Sequence, residues 1–351
     1  MKQPPSRVFV FLREHIGDVV NSTPALHCLR QRFPEAHLCV EVGERAAEVL
    51  NGFPGIDEIW IRPTHQGLWG KLAFIRRLRR GRFDLAVILD DSADMVLHAW
   101  LAGIPMRFGV SRKRKFRRLY TTFAPHNPSR HETLDHFRDV MAILGCDISD
   151  YRPRLYPSPE DWQFAEVSLR QAGWDGKTPL VGINPGASKA HRRWFPERFA
   201  QVCDALSAEG YGCVILGGPD DEPLAEEIVR NCQCRPLVLT GRLTILQVCA
   251  LLPSLRVLIT ADSGPLHLAA AMGTRVVALY GISDPAYTGP YGEGHVIIRH
   301  SEPCIGCTAE KCVHDRECMR HIHVQEVLET VRMLLHENSA ACSGGPAGPS
   351  R

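Results

Sequence analysis

The sequence predicts two doubly wound α/β domains, each a parallel sheet with helices on both faces, and three observations carry that expectation. Apolar runs of strand length alternate with helical patterns along nearly the whole chain, which calls for parallel strands joined by crossover helices. A length of 351 residues suffices for two domains with full cores. Between the two series lies Tyr151-Arg-Pro-Arg-Leu-Tyr-Pro-Ser-Pro159, the most proline-dense stretch of the chain and its natural linker. The expected divisions are a Rossmann-like domain over 1–155, a second over 156–322 that contains a cysteine-rich loop at 304–318, a helix over 323–337, and a disordered tail over 338–351 rich in Ser, Gly, Ala and Pro.

The first series opens with a strand at Val8 to Leu12 and a turn, Arg13-Glu-His-Ile-Gly-Asp18, before a helix from about Val19 to Phe33 with Val19, Leu26 and Leu29 on one side. Strands follow at Leu38 to Val42, Ile56 to Ile61 and Asp84 to Leu89, with helices around Ala46 to Leu50, Leu68 to Arg80 and Ala93 to Ala102. The second series places strands at Leu180 to Asn184, Cys213 to Leu216, Leu237 to Leu239, Val257 to Thr260 and Val276 to Tyr280. In such folds ligands bind at the carboxyl ends of strands, here in a cleft between the two domains.

With 44% hydrophobic and 23% charged residues the chain reads as a soluble globular protein rather than a disordered or fibrous one. No apolar run approaches the roughly 20 residues of a membrane span, and Met1 to Ser6 shows no apolar leader segment, so cytoplasmic residence is expected. Thirteen cysteines, several inside predicted elements (Cys39, Cys203, Cys213, Cys249), fit reduced core thiols better than a disulfide framework.

Thr260-Ala-Asp-Ser-Gly-Pro-Leu-His-Leu-Ala-Ala-Ala-Met-Gly273 reads as a buried strand running into a helix that Ser263 and Gly264 cap, Pro265 starts and Gly273 stops. The amides of Ser263, Gly264 and Leu266 are expected to open toward the positive end of a helix dipole, which favours an anion. His267, in that same turn, would be repelled by the dipole when protonated unless a negative ligand were present. On the residues alone, phosphate binding and an ordinary capped helix weigh equally. In the first turn Gly17 permits a close bend, and Asp18 at a helix start reads most simply as a carboxylate stabilising the dipole by about 0.3–1 kcal/mol. Neither Gly-x-Gly-x-x-Gly nor a Walker Gly-Lys-Ser/Thr follows the first strand, which argues against dinucleotide or ATP-cleaving chemistry.

Five spaced motifs, taken together, are more specific. Gly17-Asp18-Val-Val-Asn-Ser-Thr-Pro-Ala-Leu26 with Arg32-Phe-Pro34, Asn184-Pro-Gly-Ala187 with Arg193-Trp194, Leu216-Gly-Gly-Pro219, Asp262-Ser-Gly-Pro-Leu-His267 and Ala269-Ala-Ala-Met-Gly273 resemble glycosyltransferase family 9, the lipopolysaccharide heptosyltransferases, in order from Val8 to about Val331. The resemblance implies a GT-B fold, with an acceptor-binding first domain and a donor-binding second one. It also implies inverting, metal-independent transfer from a nucleotide diphosphate sugar, typically ADP-heptose, to the inner core of lipopolysaccharide, with no cofactor needed for catalysis.

Residue by residue, the resemblance makes Asp18 the general base that takes the acceptor hydroxyl's proton. It makes Asp262, Ser263, Gly264 and His267 the donor-phosphate loop, where amides and imidazole offset charge on the leaving diphosphate. Gly186-Ala-Ser-Lys-Ala-His-Arg-Arg-Trp-Phe-Pro196 resembles the family's phosphate-binding loop, but Phe195 is interposed before Pro196 and arginines stand where a lysine is common. Lys189, Arg192 and Arg193 are the candidate cations, Arg192 favoured for bidentate geometry, with Ser188 a further donor. Asp220 and Glu222 fall where the family places an acid near the nucleotide ribose, and equally where helices place first-turn carboxylates.

Two basic stretches, Lys71 to Arg80 and Arg112-Lys-Arg-Lys-Phe-Arg-Arg118, suit a phosphorylated lipid A–core acceptor or an anionic membrane surface, and peripheral contact at the cytoplasmic face of the inner membrane is expected. No aromatic-interleaved module points to nucleic acid. Gly17, Arg112, Lys113, Arg114 and His131 are the acceptor candidates. Cys304, Cys307, Cys312 and Cys318 read as a structural Zn²⁺ site, as iron–sulfur ligands, or as reduced thiols. Two other readings stand beside heptosyl transfer: the same fold acting on a different nucleotide sugar, as transferase or 2-epimerase, and a non-catalytic nucleotide-sugar-binding protein.

Overall fold

A computed structural model describes residues 3–62, 67–90, 92–111, 114–125, 133–300, 312 and 314–343. The chain divides into two compact units, Met1–Tyr156 with Ala286–Gly289, and Pro157–Pro285 with Pro290–Arg351. In the first, the elements run β1 (Arg7–Phe11), α1 (Ile16–Arg32), β2 (His37–Gly43), β3 (Glu58–Arg62), α2 (Leu68–Arg80), β4 (Leu85–Ile88), α3 (Ala93–Leu101), β5 (Met106–Ser111), β6 (Thr122–Pro125) and α4 (Leu134–Ile143). The second holds α5 (Pro159–Gln171), β7 (Leu180–Asn184), α6 (Pro196–Ala208), β8 (Gly212–Ile215), α7 (Glu222–Asn231), β9 (Leu237–Val238), α8 (Ile245–Leu251), β10 (Leu255–Ala261), α9 (Gly264–Ala271) and β11 (Val276–Leu279). After it come the short α10 (Pro285–Thr288), then β12 (Val296–Ile298), α11 (Glu317–Arg320) and α12 (Val324–Ser343).

Each unit carries one parallel six-stranded sheet, β3-β2-β1-β4-β5-β6 and β12-β11-β10-β7-β8-β9. Renumbered within its own unit, the second order is the first read backwards, so both are doubly wound with a switch point, between β1 and β4 and between β7 and β10. The central strands are buried on both faces, which is why they read as continuous apolar runs.

Several expectations are corrected. Helix α1 begins at Ile16, not Val19, which puts Gly17 and Asp18 inside its first turn. A 3-10 segment, Glu44–Leu50, replaces the short helix expected at Ala46 to Leu50. Strands β5, β6 and β12 were not expected: Arg107 and Gly109 interrupt β5, Pro125 ends β6, and β12 has only three residues, so none presents a strand-length apolar run. Helix α12 continues to Ser343, six residues into the stretch expected to be a disordered tail.

In the first unit Phe9, Phe11, Trp60, Phe74 and Phe83 pack edge to face, with ring centroids from 4.7 Å to 6.3 Å apart. Above this core, at the carboxyl ends of β1 to β4, Arg62 is buried in a charge network. Its Nε and Nη2 donate to Glu41 at 2.6 Å and 2.5 Å, Nη1 to Asp90 at 2.9 Å, and Nη2 to the Leu12 carbonyl at 2.7 Å. Burial pushes the Glu41 carboxyl up against the lowering effect of Arg62. Burial also works to lower Arg62, but the bonds to Glu41 and Asp90 outweigh it and hold the guanidinium above its ordinary value. Removing one member of such a network strands the others in low dielectric. Arg62→Ala should therefore destabilise the protein by about 3 kcal/mol or more in urea unfolding; a loss below about 1 kcal/mol, the range of an exposed pair, would show the network to be dispensable.

Candidate functional site

In a doubly wound sheet the loops leaving the two strands at the switch point part to opposite faces and open a crevice at their carboxyl ends. In the second unit those strands are β7 and β10. Strand β7 ends at Asn184, whose buried side-chain amide donates to the Gly186 carbonyl at 3.1 Å, to Thr260 Oγ1 at 3.2 Å and to Ser263 Oγ at 3.5 Å. One amide thus ties the loop after β7 to the loop after β10. Thr260 Oγ1 lies 3.0 Å from Ser263 Oγ, and Ser263, the extended residue before α9, makes no side-chain cap bond to the helix.

The opening of α9 differs from the expectation in one respect. The Leu266 N–H donates to the Ser263 carbonyl at 3.2 Å, and Pro265 has no N–H, so the expected anion-binding set narrows to the amides of Ser263 and Gly264. His267 is the fourth residue of α9 and is buried. Small apolar side chains let this helix seat closely, with Leu266, Leu268 and Ala269 all buried.

Asp262, 7% exposed, accepts from Arg192 Nη1 at 3.0 Å, and Arg192 is half-buried. The favoured phosphate cation is therefore already engaged with the loop it was expected to serve. Arg193 turns back, Nε donating to the Ala187 carbonyl at 3.1 Å. Lys189 is half-buried and precedes the 3-10 turn Ala190–Arg192, and Ser188 is exposed.

The third loop, after β8, brings in a residue that sequence reasoning passed over. Asp220 and Glu222 are exposed, whereas Asp221 is half-buried and accepts from the Gly218 N–H at 3.1 Å. Burial pushes its carboxyl up, opposed by that N–H and by Arg193. A Cβ on Gly186 would stand 2.3 Å from Asp221 Oδ1, so glycine at 186 is what allows the two loops to approach. The signal was the run Asp220-Asp221-Glu222, in which only the fold decides which carboxylate turns inward. Glu222 instead lies against Gly241, where an added Cβ would meet its Oε1 at 2.4 Å.

In the first unit Asp18 sits in the first turn of α1, directly after β1 and so beside that unit's own switch point. Its Oδ1 accepts from Arg13 Nη1 at 3.3 Å and from Thr133 Oγ1 at 3.2 Å, with the side chain 18% exposed. The Arg13 guanidinium lies over the Phe137 ring, 5.8 Å from its centroid. Asp18 is thus held by a cation and a hydroxyl, and neither partner was foreseen: Thr133 is 115 positions away in sequence. Gly17 is buried in the same turn.

The remaining candidates fall mostly elsewhere. Arg112, Lys113, His131, Cys304 and Cys307 lie outside the described residues, and of Arg114 only the backbone, opening the 3-10 turn Arg114–Leu119, is described. Cys312 Sγ accepts from the Arg316 N–H at 3.2 Å, and Cys318 is buried in the core of the second unit.

Fold and site together define a two-unit, doubly wound α/β protein in which three loops at strand carboxyl ends of the second unit gather acids, arginines and a helix N-terminus. The model of glycosyltransferase family 9 (heptosyltransferase) matches residues 71–317, and the chain belongs to that family. It is 26% identical to lipopolysaccharide heptosyltransferase 3 of Escherichia coli K12 over 93% of this chain and 97% of that one. Among solved structures, a family 9 glycosyltransferase from Veillonella parvula superposes with a TM-score of 0.85 at 27% identity, covering 96% of this chain and 99% of that one. The E. coli ADP-heptose lipopolysaccharide heptosyltransferase II superposes with a TM-score of 0.76 at 24% identity, covering 95% and 99%. The chain is a glycosyltransferase of GT-B fold. Among the described residues no helix is long and apolar enough to cross a membrane.

Arg192→Ala should remove the cation from the buried carboxylate of Asp262 and from the candidate phosphate-binding loop at once. We expect a lower melting temperature and at least about a tenfold loss of ADP affinity by calorimetry, the usual scale of one charge-assisted bond. An unchanged affinity would take Arg192 out of the site.

Proposed function

We propose that the protein transfers heptose from ADP-heptose to the inner core of lipopolysaccharide, with inversion and without a metal ion. The observation that carries the proposal is the convergence of the loops after β7, β8 and β10, because these supply cationic and amide groups where a leaving diphosphate needs them. The naming of its relative as a lipopolysaccharide heptosyltransferase, matched over nearly the full length of both chains, supports the choice of sugar and acceptor.

In this reading the diphosphate meets the amino end of α9 at Ser263 and Gly264, with Arg192, Arg193 and Lys189 as cations and Ser188 as a hydroxyl donor. His267 adds positive charge only when protonated. Asp220, Glu222 and the inward Asp221 are the acids available to nucleotide hydroxyls. Asp18 acts as general base. Arg13 and Thr133 orient its carboxylate through Oδ1, and Oδ2, which has no hydrogen-bond partner among the described residues, accepts the acceptor's proton. The acceptor oxygen then attacks the anomeric carbon from the face opposite the diphosphate, which departs with the bonding electrons, and the configuration inverts. Gly17 allows close approach, and the phosphorylated acceptor is met by the basic residues Arg112, Lys113 and Arg114 together with His131. The exposed arginines of α2, Arg76, Arg77, Arg79 and Arg80, suit peripheral contact with an anionic cytoplasmic membrane face.

The test is Asp18→Ala and Asp18→Asn assayed with donor and lipid acceptor. Loss of a general base predicts a fall in kcat of about 10²–10⁴-fold, with donor affinity within about threefold of wild type. Full turnover by either variant would give the base to another residue, and absence of turnover in the parent enzyme with every donor tried would favour a non-catalytic binding protein.

A further inference from the structure

Away from the donor loops, the second unit gathers sulfur and carboxylate at the other end of its sheet. In a parallel sheet the connecting helices run back from the carboxyl to the amino ends of the strands, so the last turns of α6 and α7 lie at the edge opposite the phosphate loop. There, side-chain ligand atoms of Asp204, on α6, and of Cys232 and Cys234, which follow α7, all lie within 4.8 Å of one another, each residue half-buried. Cys203, beside Asp204, is fully buried, and the Cys213 and Cys232 thiols donate to the carbonyls of Cys203 and Ala200, each at 3.9 Å.

The carboxylate is fixed by the segment that carries the thiols. Asp204 Oδ1 accepts from the Gln233 N–H at 2.9 Å and from the Cys234 N–H at 2.8 Å, and Oδ2 lies 3.1 Å from the same Gln233 nitrogen. These bonds are what an ordinary loop anchor would make, and an anchor needs no sulfur. Two thiols converging on the anchored carboxylate form a three-ligand donor set for a borderline-soft, tetrahedral ion. Around one such ion, with metal–sulfur distances of about 2.3 Å, neighbouring sulfurs stand about 3.8 Å apart, so the present spacing closes by small side-chain rotations. The half-exposed position gives the ion a path in.

We propose that Asp204, Cys232 and Cys234 form a binding site for a zinc-class divalent ion, with the fourth position open to water. None of its three ligands belongs to the cysteine set at 304–318 or to the loops after β7, β8 and β10. Its expected role is structural: the ion joins the end of α6 to the α7–β9 connection, and on binding the two thiols release their protons to solvent.

The test uses the full chain, reduced and stripped with chelator, in a Cys304→Ser/Cys307→Ser background that disables the other cysteine loop. With Zn²⁺ and Co²⁺ as probes, this background should bind one equivalent, show thiolate-to-Co²⁺ charge-transfer absorption and gain melting temperature with added Zn²⁺. Cys232→Ser/Cys234→Ser in the same background should abolish all three. Asp204→Asn keeps an oxygen acceptor for the two amides and so preserves the fold, yet should weaken Zn²⁺ binding at least tenfold; it decides the matter if the double serine variant does not fold. No metal bound by the background, or binding unchanged by the substitutions, would overturn the proposal.

Discussion

The pairing of buried Asp262 with Arg192 governs how the loops after β7 and β10 are held. A carboxylate directly after β10 with little access to solvent is costly to bury without a partner, and Arg192 at 3.0 Å supplies one. The same contact fixes the loop after β7 against the loop after β10 and sets a guanidinium beside the amino end of α9. Asp221 and Arg193 repeat the arrangement more loosely from the loop after β8. Acids and bases are therefore nearly balanced before any ligand arrives. In the proposed reaction a diphosphate entering this loop would compete with Asp262 for Arg192, while the amides of Ser263 and Gly264 at the amino end of α9 would add positive potential.

The first unit applies the same device at its own switch region. Arg62 gathers Glu41, Asp90 and the Leu12 carbonyl at the carboxyl ends of four strands. Such groups are costly to bury and serve to hold strand ends in fixed relation. Asp18, one turn beyond β1, inherits that rigidity: its carboxylate is oriented from one side by Arg13, itself laid over Phe137, and from the other by Thr133. If Asp18 is the base, as proposed, a carboxylate held in this way does not have to be ordered at the moment of reaction.

The alternation of strand and helix was legible because central parallel strands are buried on both faces and read as unbroken apolar runs. Edge strands are not, and β5, β6 and β12, each short or broken by Arg, Gly or Pro, gave no such run. The loops after β7 and β10 were legible as motifs, through Asn184, Gly186, Asp262 and Ser263. Their internal wiring was not: that Leu266 spends its amide on Ser263, that Arg192 is bound to Asp262, and that Asp221 rather than Asp220 or Glu222 turns inward depend on distances between segments far apart in sequence. Glu41 shows the limit most plainly. Inside Leu38-Cys-Val-Glu-Val42 it looks like the one polar residue of an apolar strand, and only Arg62, 21 positions on, explains its burial.

The central claim, that these three loops hold an ADP-sugar without a metal ion, is tested most directly by calorimetric titration of the protein, in excess EDTA, with ADP-heptose beside ADP- and UDP-hexoses. The account predicts saturable binding that favours ADP-heptose and is unaffected by chelation. Binding that disappears with EDTA, or that favours a UDP-sugar, would contradict it.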